Sequence, residues 1–114
     1  MTVREIAEML ELTVCCAKEM LDREVTGAYA GDLLSDVMAH SRQGQVWVTI
    51  QVHMNIVAVA TLKEHAAIIV VNGRTPAAET LGRAAEEKMP VLASGRTAFE
   101  VCGRLHALGV GGVS

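Results

Sequence analysis

The sequence has 114 residues and a formal net charge of −3; 51% of it is hydrophobic, although it holds only one Trp, one Tyr and one Phe. That length suits one domain, which buries roughly 65% of its unfolded surface and leaves no room for a second core. Scattered charge and scarce aromatics exclude the basic footprint and stacking platform of a nucleic-acid binder, and no run approaches the ~18 apolar residues of a membrane span.

The opening Met-Thr-Val-Arg-Glu is amphipathic rather than a signal peptide, so a cytoplasmic protein is expected. Thr2 and Glu5 have the spacing of a capping box, and Val3, Ile6, Met9 and Leu10 recur at helical intervals behind it. Residues 12–16 and 25–30 read as two short strands joined by a charged connection at 18–24. Cys15, Cys16 and Cys102 are odd in number and lack C-x-x-C spacing, and neighbouring strand residues face opposite ways, so all three are expected as reduced packing residues.

Gly31-Asp32 stops the second strand. Leu33, Leu34, Val37 and Met38 then form a short amphipathic helix, with Asp32 as its natural cap and Gln43-Gly44 as its end. A strand follows at 46–50. Asn55 is placed to cap a helix over 56–64, so apolar that it must be largely buried. The β-branched run at 67–71, bounded by Asn72-Gly73, predicts a strand covered on both faces, the habit of parallel sheets. Thr75-Pro76 reads as a cap followed by Pro at the first helical position, with Leu81, Ala84, Ala85 and Met89 as the inner stripe up to Pro90. The last unit repeats the plan: a strand at 91–93, a second capping box from Thr97 to Glu100, a stripe of Val101, Cys102, Leu105 and Leu108, and Gly109 as the stop. The domain is expected over 1–110, with a flexible tail at 111–114 whose glycines lack the Lys-Ser/Thr pair of a phosphate loop.

Alternating helices and strands predict a three-layer α/β/α fold with a mainly parallel, mixed sheet and right-handed crossovers. Ligands of such folds sit beyond the carboxyl ends of the strands, where helix N-termini present free amides. Four loops share that edge and together form a crescent. They contribute Gly31, Asp32, Ser35 and Asp36; Gln51, His53 and Asn55; Asn72, Gly73 and Arg74; and Ser94, Gly95, Arg96 and Thr97. Asn72-Gly73-Arg74-Thr75 and Ser94-Gly95-Arg96-Thr97 echo each other, which suits an anion held by paired Arg side chains and helix-end amides; the alternative is a Gly turn, a Thr cap and a solvated Arg. Gln51, His53 and Asn55 alternate, so an extended segment would align them while Val52 and Met54 face the core. His53 would act as a general base only beside an acid such as Asp32 or Asp36, and otherwise bonds locally. Asp32 and Asp36, one turn apart, suit either Mg²⁺ with phosphate or capping and solvation. His40, His65 and His106 are dispersed, without zinc spacing, and are expected on the surface.

At residues 28–38, AYAGDLLSDVM, and 49–60, TIQVHMNIVAVA, the chain resembles stand-alone DRTGG-domain proteins, and the likeness runs over nearly all of it. The Asp-Arg-Thr-Gly-Gly string itself is absent, and Gly31-Asp32 occupies the matching Gly-Asp position. The resemblance implies a fold similar to the N-terminal domain of HPr kinase/phosphorylase, a module also found beside CBS domain pairs in regulatory pyrophosphatases. Stand-alone members tend to accompany anaerobic redox and hydrogenase genes. Kinase and iron-sulfur labels attached to such proteins do not fit, because a phosphate loop and about four spaced thiolates are both missing.

No set of nucleophile, base and orienting residue can be assembled from spacing, so an enzyme using His53 and Asp32 ranks last. The expectation is a non-catalytic regulatory or accessory module, cofactor-free and homodimeric, that binds a small anion such as a nucleotide at the crescent. The alternative is an interaction or structural domain that docks a redox or signalling protein.

Overall fold

The computed structural model of the protein describes residues 1–111. Its centre is a pair of parallel strands, β3 (Gln45–Thr49) and β4 (Ala67–Val70), in which every residue is buried. β-Branched residues fit a pleated surface packed on both sides, which is why Val-Trp-Val and Ile-Ile-Val form the middle of the sheet. Strand β2 (Gly27–Ala30) pairs with β3 and β5 (Val91–Ala93) with β4, all in parallel. The fifth strand, β1 (Thr13–Cys16), joins the outer edge of β5 in the antiparallel sense, giving the order β1-β5-β4-β3-β2.

Because strand side chains alternate between faces, each row across the sheet belongs to one layer. Tyr29, Trp47, Ile68, Val91 and Cys16 form one such row. It packs under α2 (Leu34–His40), α3 (Asn55–Leu62) and α4 (Ala78–Glu86) through Val37, Ile56, Val57, Ala60 and Ala84. The neighbouring row of Ala30, Val48, Ile69, Leu92 and Val14 faces the other way. There Val48, Ile69, Leu92 and Val14 meet Val3 and Ile6 of α1 (Val3–Met9) and Val101 and Leu105 of α5 (Ala98–Ala107). Three consecutive crossovers of one hand, with strands added in sequence order, must put their helices on a single face, and the terminal helices cover the other. The result is the expected three-layer α/β/α architecture with a mixed sheet.

Several helix starts differ from the sequence reading. The Thr2–Glu5 capping box is present, with Glu5 N–H to Thr2 Oγ1 at 3.2 Å and Thr2 N–H to Glu5 Oε1 at 2.9 Å. Thr97 caps α5 by accepting from Glu100 N–H. Asp32, by contrast, does not cap α2, whose N-cap position is Leu33 with no side-chain bond; its carboxylate turns across to β3. Asn55 is the first residue of α3 rather than its cap, and that helix ends at Leu62. Met54 precedes it in helical conformation and is exposed instead of facing the core, so the Gln51-His53-Asn55 row is broken by a bend. Thr75 and Pro76 lie ahead of α4, which begins two residues later than Pro at N1 would place it. α3 is not largely buried either: Ile56, Val57 and Ala60 are, whereas Asn55, Ala58 and Leu62 are exposed. Positions 112–114 of the expected tail lie outside the described residues; the Gly111 carbonyl accepts from Ala28 N–H at 2.7 Å on the free side of β2.

His65 is another departure: it is 2% exposed, not on the surface. The Ser41 hydroxyl donates its one proton to the Val37 carbonyl at 2.6 Å, so its 2.8 Å contact with His65 Nε2 requires that nitrogen to be the donor. Burial, reinforced by Lys63, pushes its pKa down from 6.5 to about 4, so near neutral pH the ring is uncharged and Nδ1 is left as its acceptor. A depressed histidine pKa means that the unfolded chain takes up the proton first. Its contribution is complete above pH 6.5 and is lost as pH falls towards 4. The urea midpoint, followed by Trp47 fluorescence, should fall across that window, and less steeply in His65→Gln; parallel profiles would show that another group is responsible.

Trp47 stands beside it, fully buried, its ring edge-on to His65 at 5.7 Å between centroids and its indole N–H bonded to the Gly31 carbonyl at 2.8 Å. Trp47→Phe removes volume and strands that carbonyl. A loss of about 2–4 kcal/mol in chemical denaturation is expected; a loss below 1 kcal/mol would mean the site collapses or rehydrates without cost.

Candidate functional site

The carboxyl ends of β2, β3, β4 and β5 gather the four loops at one edge of the sheet, and antiparallel β1 brings its first residue, Thr13, to the same edge opposite Ala93. The crescent exists as a surface, but its internal bonds divide it into two halves.

On the β2/β3 half, Asp32 Oδ1 accepts from Thr49 Oγ1 and from Ile50 N–H, both at 2.9 Å. The Gln51 amide returns a bond to the Asp32 carbonyl at 3.0 Å. Asp32 and Gln51 thus lock the end of β2 to the end of β3. Asp36, one turn along α2, has other partners: Tyr29 Oη donates to Oδ2, and His40 Nδ1 lies 3.2 Å from Oδ1. The hydrogen bond to Asp36 pushes the Tyr29 phenol pKa up, with burial acting in the same direction. The two aspartates serve different contacts rather than converging on one point. Ser35, His53 and Asn55 are exposed along the same rim.

On the β4/β5 half, the two echoing loops are joined to each other. Asn72 N–H donates to the Arg96 carbonyl at 2.8 Å and Gly73 N–H to the Ser94 carbonyl at 3.0 Å. Asn72 and Gly73 both have positive φ, 66° and 69°, which lets the β4 loop turn back onto its neighbour. Ser94 Oγ accepts from Arg96 N–H, closing the second loop. The Arg96 guanidinium points away from this edge's open side: Nη1 donates to the Leu10 carbonyl at 2.7 Å and Nη2 meets Glu11 Oε1 at 3.1 Å, pinning the end of α1. Arg74 is exposed and makes no such anchor among the described residues. Of the paired arginines, the structure leaves one facing outward.

Arg74 borders a cleft of about 310 Å³ shared with Thr13, Cys15, Thr75, Pro76, Gly95 and the Ser94 backbone region. Thr13 and Cys15 were missed in the sequence because nothing local reveals that β1 pairs with β5; their i, i+2 spacing on one short strand is the only available signal. The Asp36–His40 contact was also missed, with His40 expected among dispersed surface residues, although their i, i+4 spacing on α2 was the available signal; nothing local pointed to Tyr29. Burial pushes the Cys15 thiol pKa up, as it does for Cys16 and Cys102, and all three cysteines are free. A raised pKa keeps a thiol protonated and unreactive near neutrality. Among the described residues, no group of three or more His, Cys, Asp or Glu is arranged to hold a metal ion. None of their helices is long and apolar enough to cross a membrane.

No family model matches the sequence, and no curated protein is similar to it in sequence. Among solved structures, the chain is similar to the CBS and DRTGG domains of the regulatory region of Clostridium perfringens pyrophosphatase, a structure in complex with the activator diadenosine tetraphosphate. The match has a TM-score of 0.72 at 14% identity, and covers 91% of this chain but 45% of that one. This chain therefore spans less than half the length of the structure it matches. At that identity the likeness concerns the course of the backbone, and it supports a three-layer fold of the DRTGG/CBS-like kind.

Proposed function

We propose that the protein is a non-catalytic regulatory module of DRTGG type that takes a small anion, such as the phosphates of a nucleotide, on the β4/β5 half of the crescent. The carrying observation is the cleft of about 310 Å³ that the exposed Arg74 lines together with Thr13, Thr75 and Gly95. Guanidinium and hydroxyl donors at the end of parallel strands suit phosphate oxygens. The nucleotide activator bound to the pyrophosphatase regulatory region supports the same class of ligand. The non-catalytic reading is supported by the chemistry of the edge, where Asp32 and Asp36 are tied to separate partners and burial raises the Cys15 thiol pKa. A cytoplasmic setting belongs to the same proposal.

Thermal shift with ATP, ADP, AMP, diadenosine tetraphosphate and inorganic phosphate, each with and without Mg²⁺, tests it. A ligand at 100 times its Kd stabilises the fold by about 2.7 kcal/mol, a shift of several degrees for a domain this size. Arg74→Ala should abolish that shift while leaving the free protein's Tm unchanged. Arg96→Ala should do the reverse, lowering the Tm of the free protein by removing the bonds to Leu10 and Glu11. Silence from every compound would sink the proposal, and a shift surviving Arg74→Ala would move the ligand to another site.

Self-association is a second reading, favoured by α3. That helix carries no charged residue, yet Met54 before it and Leu62 at its end are exposed, an arrangement that suits burial against another copy. The competing occupant is a redox or signalling protein. Light scattering should give a dimer that Leu62→Glu converts to a monomer; a wild-type monomer at micromolar concentration would count against this reading.

A further inference from the structure

On the helical face away from α1 and α5, α3 lies between α2 and α4 and touches both. α3 and α4 follow successive parallel strands, so they run side by side in the same direction. Between them lies a cleft of about 320 Å³ lined by Val57, Ala58, Thr61, Leu62, Arg83 and Glu87. Its two walls differ in character. On α3, which carries no charge, Ala58 and Leu62 stand one turn apart and are both exposed, Leu62 by 69%. On α4, Arg83 and Glu87, also one turn apart, form an ion pair at 3.4 Å with the arginine more than half exposed. An adjoining cleft is lined by Met54, Asn55, Ala58 and Arg83, without Glu87, which places Arg83 level with Ala58 and Glu87 level with Leu62.

These four positions form a patch that is complementary to itself. A two-fold axis brings the same patch onto both sides of an interface, so each feature must meet its opposite across the axis. If the axis crosses α3 midway between the turns of Ala58 and Leu62, the two copies of the helix run antiparallel. Leu62 of each copy then comes over the small side chain of Ala58 in the other. The same rotation stacks α4 on its own copy, so that Arg83 of one chain faces Glu87 of the other. A parallel contact would instead set α4 against α2 and separate these charges. We propose that the protein pairs with a second copy through this antiparallel α3 contact, with Leu62 seated over Ala58 and Arg83 and Glu87 paired crosswise. Each guanidinium keeps its own carboxylate and gains its neighbour's, closing a ring of four alternating charges around a largely apolar centre. The proposal rests on the self-association reading above and gives it an axis and a register.

Charge reversal tests it, with light scattering and native mass spectrometry as the readouts. Arg83→Glu makes the α4 wall wholly acidic and Glu87→Arg makes it wholly basic, so each variant alone should self-associate about tenfold more weakly than wild type or worse. An equimolar mixture of the two should regain the wild-type affinity as a 1:1 heterodimer, because the acidic wall then meets the basic one. The doubly reversed variant, Arg83→Glu with Glu87→Arg, should dimerise as wild type does. An ion pair that serves only its own helix gains nothing from mixing, so the heterodimer is the decisive species. A wild type that stays monomeric in the micromolar range overturns the proposal together with the self-association reading. A dimer that Leu62→Glu breaks but both charge reversals leave unchanged overturns the axis and register alone, as does weakening by each reversal with no heterodimer on mixing.

Discussion

The fold is organised around Trp47, a large side chain in the middle of the sheet that reaches towards both of its ends. It occupies the centre of β3 with no exposure, and its N–H reaches the Gly31 carbonyl just past the end of β2. The edge of its ring meets His65, which lies just before β4 begins. A buried indole needs a partner for its nitrogen, and the partner here is a backbone carbonyl in the turn that starts the crescent. The turn at Gly31 is thereby fixed to the core, and Asp32, next in sequence, is delivered to Thr49 and Ile50.

On the other half the corresponding constraint is Arg96. An arginine in a strand-to-helix loop invites an anionic reading, yet this guanidinium crosses to the end of α1 and bonds Leu10 and Glu11. Glu11 is in the left-handed conformation, so the chain reverses sharply there before entering β1. Arg96 therefore holds the turn that lets β1 run antiparallel beside β5. A strand attached in that sense presents its beginning to the edge where the parallel strands finish. That is how Thr13 and Cys15 come to border Arg74, and why a single outward arginine stands where the sequence offered two.

The layers were legible in the sequence and the pairings were not. Periodicity and β-branched runs placed all five strands to within a residue or two; the central pair, β3 and β4, is buried on both faces and has few alternatives in composition, and the outer strands were delimited by the turn residues and polar segments beside them. Helix starts were read less well. Asp32, Asn55 and Thr75 each had the chemistry of a cap, but a short polar side chain at a strand end has a competing choice, a bond across to the neighbouring strand or loop. Asp32 took that choice. Met54 turned outward because the backbone enters helical conformation there, cutting short the extended segment that would have aligned Gln51, His53 and Asn55. His65 was misplaced because one histidine between a lysine-glutamate pair and an alanine run gives no sign that Ser41, twenty-four residues earlier, will receive it. Contacts between residues far apart in sequence decide such cases, and they decide the candidate sites as well.

A parallel sheet with helices returning along it has a polarity that no single residue sets. At the carboxyl edge the helices begin and leave amide protons; at the amino edge they end and leave carbonyls. The side chains accentuate the difference here. Arg74 and the Thr13 and Thr75 hydroxyls collect at the first edge, and three glutamates with a bare imidazole nitrogen collect at the second. Trp47 runs between the two, bonded at one edge and packed against His65 at the other. The contact chain from His65 through Trp47 to Gly31 thus joins the two edges through a fully buried, close-packed side chain.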